Sequence, residues 1–320
     1  MLSPPAPTSS RPREPPVDPH GVLRTDGVEQ ALADSRVGVL SAALVNNETG
    51  AVQDIAALAE AARAHGTLLH TDAVQAAGHV ALPGSEDVDL MSLSGHKIGA
   101  PVGVGVLVAR PGVPFAPTST GGGQRRGVRS GTLDAAQAAA FAAALEEALA
   151  EREQRSGEVR RLAARLRRGI AQIDPSVRFT PPEDSPQSGH ILHLVAPGAD
   201  SDAPLFLLDE RGIDSSAGSA CSAGVTQASP VLAAMGVSDE DSRGARGCRW
   251  AGRAPSARSS CCWPRRRRRS SGPAPSAPCA AEHGAHLTSP GLWGRGPGSV
   301  DSWGCARRGG QGRTTEEDAP

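Results

Sequence analysis

The chain has 33 basic residues but only one lysine, Lys97, which stands in the string Ser94-Gly95-His96-Lys97. An amine at a strand end can form a Schiff base with an aldehyde cofactor when its surroundings keep it neutral. Asp72, in the string HTDAVQ, lies 25 residues earlier. A carboxylate there can keep a pyridine nitrogen protonated, which makes the ring an electron sink. The hydroxyl of Ser94 and the imidazole of His96 suit a phosphate. Gly121-Gly122-Gly123, followed by Arg125, Arg126, Arg129 and Thr132, is a second anion-friendly segment. Two more clusters carry polar or nucleophilic groups: Asn46-Asn47-Glu48-Thr49-Gly50, and the Gly/Ser-rich run from Ser215 to Cys221. Each has a plainer reading when taken alone. Lys97 reads as a surface charge, Asp72 as a helix cap, Cys221 as a small buried residue, and the glycines as a turn.

The elements that must position these groups follow from hydrophobic period. Val37 to Val45 is a nearly continuous apolar run, which predicts a buried parallel strand. Gln53 to His65 puts Ile55, Leu58, Ala59 and Ala62 on one helical face. Thr67 to Thr71, Val88 to Leu93 and Val102 to Ala109 read as three further strands. Strands alternating with helices predict an α/β domain with a mostly parallel sheet. The Asn46, Asp72 and Ser94–Lys97 clusters then all fall at carboxyl ends of strands, where open α/β sheets bind ligands. Asp134 and Gln137 are spaced as a capping box opening a long helix. That helix is predicted to break near Ser156-Gly157 and to end at Asp174-Pro175. A smaller α+β domain follows, with short strands at Val177–Phe179 and His190–Val195, a helix near Ala203–Glu210, and the Cys221 loop. The boundaries are 1–16 for a Pro-rich disordered lead, 17–150 for the large domain, 151–243 for the small one and 244–320 for a tail.

The tail has a different composition. From Gly244 onward there are one Val, two Leu, and no Ile, Met or Phe, with 13 Arg against five acidic residues. Too little apolar surface is present to offset the entropy of ordering it. Excess Arg, Gly, Pro, Ser, Ala, Cys and Trp is the product expected of a GC-rich gene read out of frame, so a frameshift near codon 244 is expected. Arg265–Arg269 could read as a nucleic-acid patch, and Cys261, Cys262, Cys279, His283 and His286 as zinc ligands. Their spacing matches no zinc module, so no metal is expected. The net charge of −1 argues against nucleic acid or an anionic membrane as partner. No apolar run can span a bilayer, and Met1–Pro16 has no apolar core of a signal, which predicts a cytoplasmic protein.

The strings VNNETG, HTDAVQ, DLMSLSGHK, GGGQRRGVRSGT and SSAGSAC, in this order, resemble the class V aminotransferase superfamily and, within it, the cysteine desulfurases. The resemblance runs from about Val17 to Arg243. It implies the pyridoxal-phosphate-dependent transferase fold of type I, a mostly parallel large domain with a smaller α+β carboxyl-terminal one. It also implies a homodimer. Lys97 would bind the cofactor and move the Cα proton, Asp72 would pair with the pyridine nitrogen, and Asn47 and Gln75 would hydrogen-bond the phenolic oxygen. Ser94 and His96 would hold the phosphate, and Thr132 would reach the phosphate of the other subunit. Cys221 would take sulfur from L-cysteine as a persulfide, release alanine and pass the sulfur to an acceptor protein. That sulfur would supply iron–sulfur clusters or thio-modification. Two alternatives stay open: a selenocysteine lyase, and a catalytically inactive fragment. Relatives carry a longer amino-terminal part, with a phosphate loop and a ring-stacking His, and a late start codon is therefore expected. They also carry a substrate-binding Arg on a strand just beyond position 244. Arg246 and Arg249 are near that place, but no strand pattern supports either.

Overall fold

The structure, a computed structural model, describes residues 13–33, 37–116, 121–124, 127–199, 202–213, 215–216 and 229–249. The larger lobe opens with α1 (Thr25–Ala33), β1 (Val39–Ala43), α2 (Ile55–Ala64), β2 (Leu68–Asp72) and β3 (Leu90–Ser94). A 3₁₀ turn (Gly95–Lys97), β4 (Gly105–Ala109) and α3 (Ala135–Ala150) complete it. The sheet order is β1-β2-β3-β4, with the first three strands parallel and β4 antiparallel to β3. The expected mostly parallel sheet is therefore present.

Its core lies on one face. Leu40 and Ala42 of β1, Leu69 of β2 and Leu93 of β3 are buried with Val28 and Leu32 of α1, Phe141 of α3, and Ile55, Leu58, Ala59 and Ala62 of α2. Each fully buried leucine contributes roughly 1.5–3 kcal/mol over an exposed one. Asp54 caps α2 by accepting from the amide of Ala57. The apolar run at Val37–Val45 predicted a strand buried on both faces. In β1 exposure instead alternates, and Val39, Ser41 and Ala43 are exposed. With period-two geometry the α1–α2 layer covers only every second side chain.

The smaller lobe is built from α4 (Arg152–Ile173), β5 (Arg178–Phe179), β6 (Ile191–Val195), α5 (Asp202–Asp209), α6 (Pro230–Ala234), α7 (Asp239–Ser242) and β7 (Ala245–Arg249). Its antiparallel sheet runs β5-β6-β7. The long helix divides at Glu151 rather than at Ser156-Gly157. Ser156 lies within α4, buried, and its hydroxyl donates to the carbonyl of His79 (2.7 Å), so the residue expected to break the helix instead anchors it to the large lobe. Asp134 caps α3 as expected, accepting from the Gln137 amide, but Gln137 does not return the bond.

Two expected boundaries move. Pro16 accepts a backbone bond from Arg24, and Val17 packs on the small lobe with Val231 and Val237. At the other end, the ordered small lobe runs past 243. Residues 245–249 form β7, which pairs along its length with β6. Backbone ladder bonds to a fully buried neighbour make this strand, and side-chain alternation does not reveal them. The rest of the expected tail, 250–320, and the lead 1–12 lie outside the described residues, as do Arg125, Arg126 and Cys221. Among the described residues no helix is long and apolar enough to cross a membrane.

Candidate active site

The expected chemical groups converge on the carboxyl edge of the parallel strands. Ala43 is in register with Asp72, and Asp72 with Ser92. The amide of Leu44 donates to the carbonyl of Asp72, and that of Ala73 to the carbonyl of Ser92, both at 2.9 Å, so three strand ends stay aligned as the chain leaves the sheet. Asp72 terminates β2 with its side chain exposed; one carboxylate oxygen accepts from the amide of Val74 (2.8 Å). Among the described residues the other oxygen takes no hydrogen bond. Gln75 follows on the same turn, half-buried.

On the next strand, Ser94 ends β3 and its hydroxyl lies 2.8 Å from Nδ1 of His96. Gly95 between them is buried, and its amide donates to the carbonyl of Val104 (2.9 Å). A Cβ there would sit 2.6 Å from a methyl of Val104, so only glycine lets the turn close against β4. The turn leaves Lys97 exposed, with no ion pair or hydrogen bond among the described residues. Thr132 is exposed on the segment entering α3, outside this edge.

The turn after β1 is organised by Asn46. Its side-chain oxygen accepts from the amides of Glu48 (2.9 Å) and Thr49 (3.0 Å) and from the Thr49 hydroxyl (3.2 Å). Gly50 closes it at φ +78°, and a Cβ there would lie 3.0 Å from Cβ of Ile191 and 3.1 Å from its carbonyl oxygen. Gly50→Ala combines left-handed strain with a clash against β6. We expect it to cost about 1–3 kcal/mol, read as a lower urea midpoint at unchanged slope.

Three features of the site were not legible in the sequence. Arg249, at the end of β7, donates to the backbone carbonyl of Asn47 (2.7 Å) and so brings a guanidinium to the edge of the site. The expectation that no strand supports Arg246 or Arg249 is corrected: both lie on β7. Arg246 is fully buried and bonds the carbonyls of Arg243 and Ala245, whereas Arg249 is exposed. Second, His70 spans three strands on the open sheet face, with Nδ1 2.8 Å from the Ser41 hydroxyl and Nε2 2.9 Å from that of Ser92. The i, i+2 spacing of His70 and Asp72 was the only available signal for this row.

Third, the two lobes meet through stacked imidazoles. The rings of His79 and His190 are parallel with centroids 3.6 Å apart. Both ring nitrogens of His190, and both of His193, are buried without a hydrogen-bond partner among the described residues. Burial pushes His79 down to about 4, helped by the charges of Arg155 and Arg249. Burial, then His79, Arg249 and Lys97, hold His190 well below the usual histidine range. His193 is pushed down to about 4 by burial and then by Arg246. Among the described residues no group of three or more His, Cys, Asp or Glu could hold a metal ion.

A carboxylate with an oxygen that takes no hydrogen bond among the described residues, an exposed amine, and a hydroxyl–imidazole pair thus stand on adjacent strand ends. The family model described as Aminotransferase class-V matches residues 10–250. The chain is 40% identical over 227 residues to an IscS-like cysteine desulfurase of Mycobacterium tuberculosis, covering 70% of this chain and 58% of that protein. It is 39% identical over 225 residues to the cysteine desulfurase NifS of Azotobacter vinelandii, covering 69% and 55%. The chain thus spans under three-fifths of the length of these relatives. Among solved structures, a NifS-like protein from Rickettsia africae superposes with a TM-score of 0.67 at 26% identity, covering 73% of this chain and 63% of that one. DndA from Streptomyces lividans gives 0.59 at 34% identity, covering 72% and 65%. The fold is the α/β fold of pyridoxal-phosphate-dependent type I proteins, and the chain belongs to the class-V aminotransferase family.

Proposed function

We propose that this protein is a cysteine desulfurase that moves sulfur from L-cysteine to a persulfide on Cys221 and releases alanine. The observation that carries the reading is the alignment of Asp72, Ser94, His96 and Lys97 on adjacent strand ends, in a chain 40% identical to an IscS-like cysteine desulfurase.

Pyridoxal phosphate, when bound, supplies an electron sink for charge developing at the substrate Cα. The open oxygen of Asp72 holds the proton on the ring nitrogen. Asn47 and Gln75 bond the phenolic oxygen, and Ser94 with His96 takes the phosphate. Thr132 reaches the phosphate of a second subunit in a homodimer. The Lys97 amine would hold the cofactor and move the substrate's Cα proton. Arg249, exposed beside Asn47, is placed to pair with the substrate carboxylate, a contact that favours a planar guanidinium. The Cys221 thiolate attacks the substrate sulfur: an S–S bond forms and the substrate Cβ–S bond breaks. The electron pair of that bond stays with the carbon fragment, which takes up protons and leaves as alanine. A thiolate that must stay reduced until it acts suits the cytoplasm. An acceptor protein of iron–sulfur cluster assembly or thio-modification then takes the sulfur.

The test is stoichiometric. With pyridoxal phosphate and L-cysteine, one alanine is expected per persulfide, and the persulfide maps to Cys221 by mass spectrometry. Cys221→Ser should lose it by at least about a hundredfold, as expected for removal of a nucleophile. A persulfide that survives in Cys221→Ser sinks the nucleophile assignment, and alanine never forming sinks the desulfurase reading. Selenocysteine accepted in place of cysteine, with cysteine refused, would move the assignment to the lyase.

A further inference from the structure

The stacked imidazoles have no part in the chemistry above, yet they join the two lobes. His79 stands on the turn after β2, and His190 just before β6. His190 is 2% exposed, and neither of its ring nitrogens has a partner among the described residues. The long helices brace the stack. Ser156 of α4 donates to the carbonyl of His79, and a Cβ on Gly78 would lie 3.1 Å from that of Ala148 in α3. A Cβ on Gly189 would lie 2.7 Å from Cγ of Arg160 in α4, so the backbone before each imidazole is pressed against a helix. Two backbone bonds also cross between the lobes. The amide of Ser188 donates to the carbonyl of Gly50 (3.0 Å), and that of Val52 to the carbonyl of Pro186 (3.1 Å).

The charges that act on the stack are positive. Arg155 of α4 and Arg249 of β7 act on His79, and Arg249 and Lys97 of the 3₁₀ turn act on His190. The carboxylates nearby are engaged elsewhere. Glu151 lies 3.9 Å from Arg155, and Glu48, in the turn that packs on β6, accepts from the hydroxyl of Ser229 at 2.6 Å. His193, further along β6, is in register with Gly247 and feels the charge of Arg246, all within the small lobe. A proton on either stacked ring therefore adds a cation among three others, with no carboxylate to receive it. Such a charge is costly until the ring reaches water, and it reaches water when the lobes part.

We propose that the His79–His190 stack is an acid-sensitive joint. With both imidazoles neutral it holds the small lobe closed on the lobe that carries Lys97, and a proton on either ring releases it. The joint stands on the stack, its cations and the bonds beside it, whatever reaction the site performs. It differs from a general loss of stability in acid, because the contacts between the lobes yield while each lobe keeps its own sheet.

The test is amide hydrogen exchange on the full chain at pH 7.5 and pH 5, read as protection relative to the intrinsic rate at each pH. The amides of Val52 and Ser188 report on the joint. Those of Leu44, bonded to Asp72, and Ala196, bonded to Gly244, report on the interior of each lobe. A ring that titrates at about 4 when closed and at 6.5 when open favours opening about thirtyfold more at pH 5 than at pH 7.5. Closure is thus fully held above 6.5 and is lost as pH falls towards 4. Protection at Val52 and Ser188 should fall by at least about that factor, while Leu44 and Ala196 keep most of theirs. The double variant His79→Phe, His190→Phe keeps two flat rings that take no proton, and should hold Val52 and Ser188 at their neutral-pH protection. His193→Leu should leave the fall in place. Steady protection at Val52 and Ser188 in the wild type overturns the proposal. An equal fall at all four amides also overturns it, because the whole fold would then be opening. So does a fall that persists in the Phe pair or vanishes in His193→Leu. If the Phe pair does not fold, the four wild-type amides still decide.

Discussion

Treated with pyridoxal phosphate and borohydride, the wild-type chain gains one cofactor mass on Lys97, and the Lys97→Ala chain gains none. The contrast is unusually clean here because Lys97 is the only lysine in 320 residues, so no neighbouring ε-amine can stand in for it. The geometry supports attachment at this position. The 3₁₀ turn Gly95–Lys97 delivers the amine to the edge where Asp72 and Ser94 already stand, and no carboxylate among the described residues pairs with it. The same variant should lose alanine formation by at least about 10⁴-fold, since covalent attachment and proton transfer vanish together. Lys97→Arg should be equally inactive, because a guanidinium keeps the charge but cannot give up a proton. A one-cofactor adduct that persists in Lys97→Ala would place the attachment elsewhere and undo the site.

Acidification from pH 7.5 to pH 5 should destabilise the protein markedly, well before carboxylates are protonated. His79 and His193 titrate near 4 in the folded chain against 6.5 unfolded, and His190 is lowered as well. The unfolded chain therefore binds more protons below 6.5. Stability is fully present above that value and is lost as pH falls towards 4. A shift of this size is worth on the order of 3 kcal/mol for each of His79 and His193 over the full window. A domain stable by about 5–15 kcal/mol cannot absorb that loss from several groups and keep its margin. Urea midpoints measured at several pH values check this. His193→Leu should flatten the pH dependence by about one proton and raise the midpoint at neutral pH, because two unpartnered buried nitrogens disappear. Midpoints that hold steady or rise between pH 7 and pH 5 would show that these imidazoles are protonated in the folded protein.

What the sequence determined by itself is the local frame. Apolar runs marked β1, β2 and β3 to within a few residues, and the stripe of Ile55, Leu58, Ala59 and Ala62 marked the buried face of α2. Strand ends are where open sheets bind ligands, so HTDAVQ and SGHK could be placed on one edge before any coordinates. These signals are legible because side-chain period and turn chemistry act over a few neighbouring residues. The tertiary structure alone decided the rest. It put Arg249 beside Asn47 and Glu48 against Ser229, across 202 and 181 residues. It joined Ser41, His70 and Ser92 across three strands, and it stacked His79 on His190. It also made a strand of residues 245–249, whose composition resists one, because β6 offered a full row of backbone partners. Hydrogen-bond partners of this kind depend on which surfaces the fold brings together, and no local pattern records them.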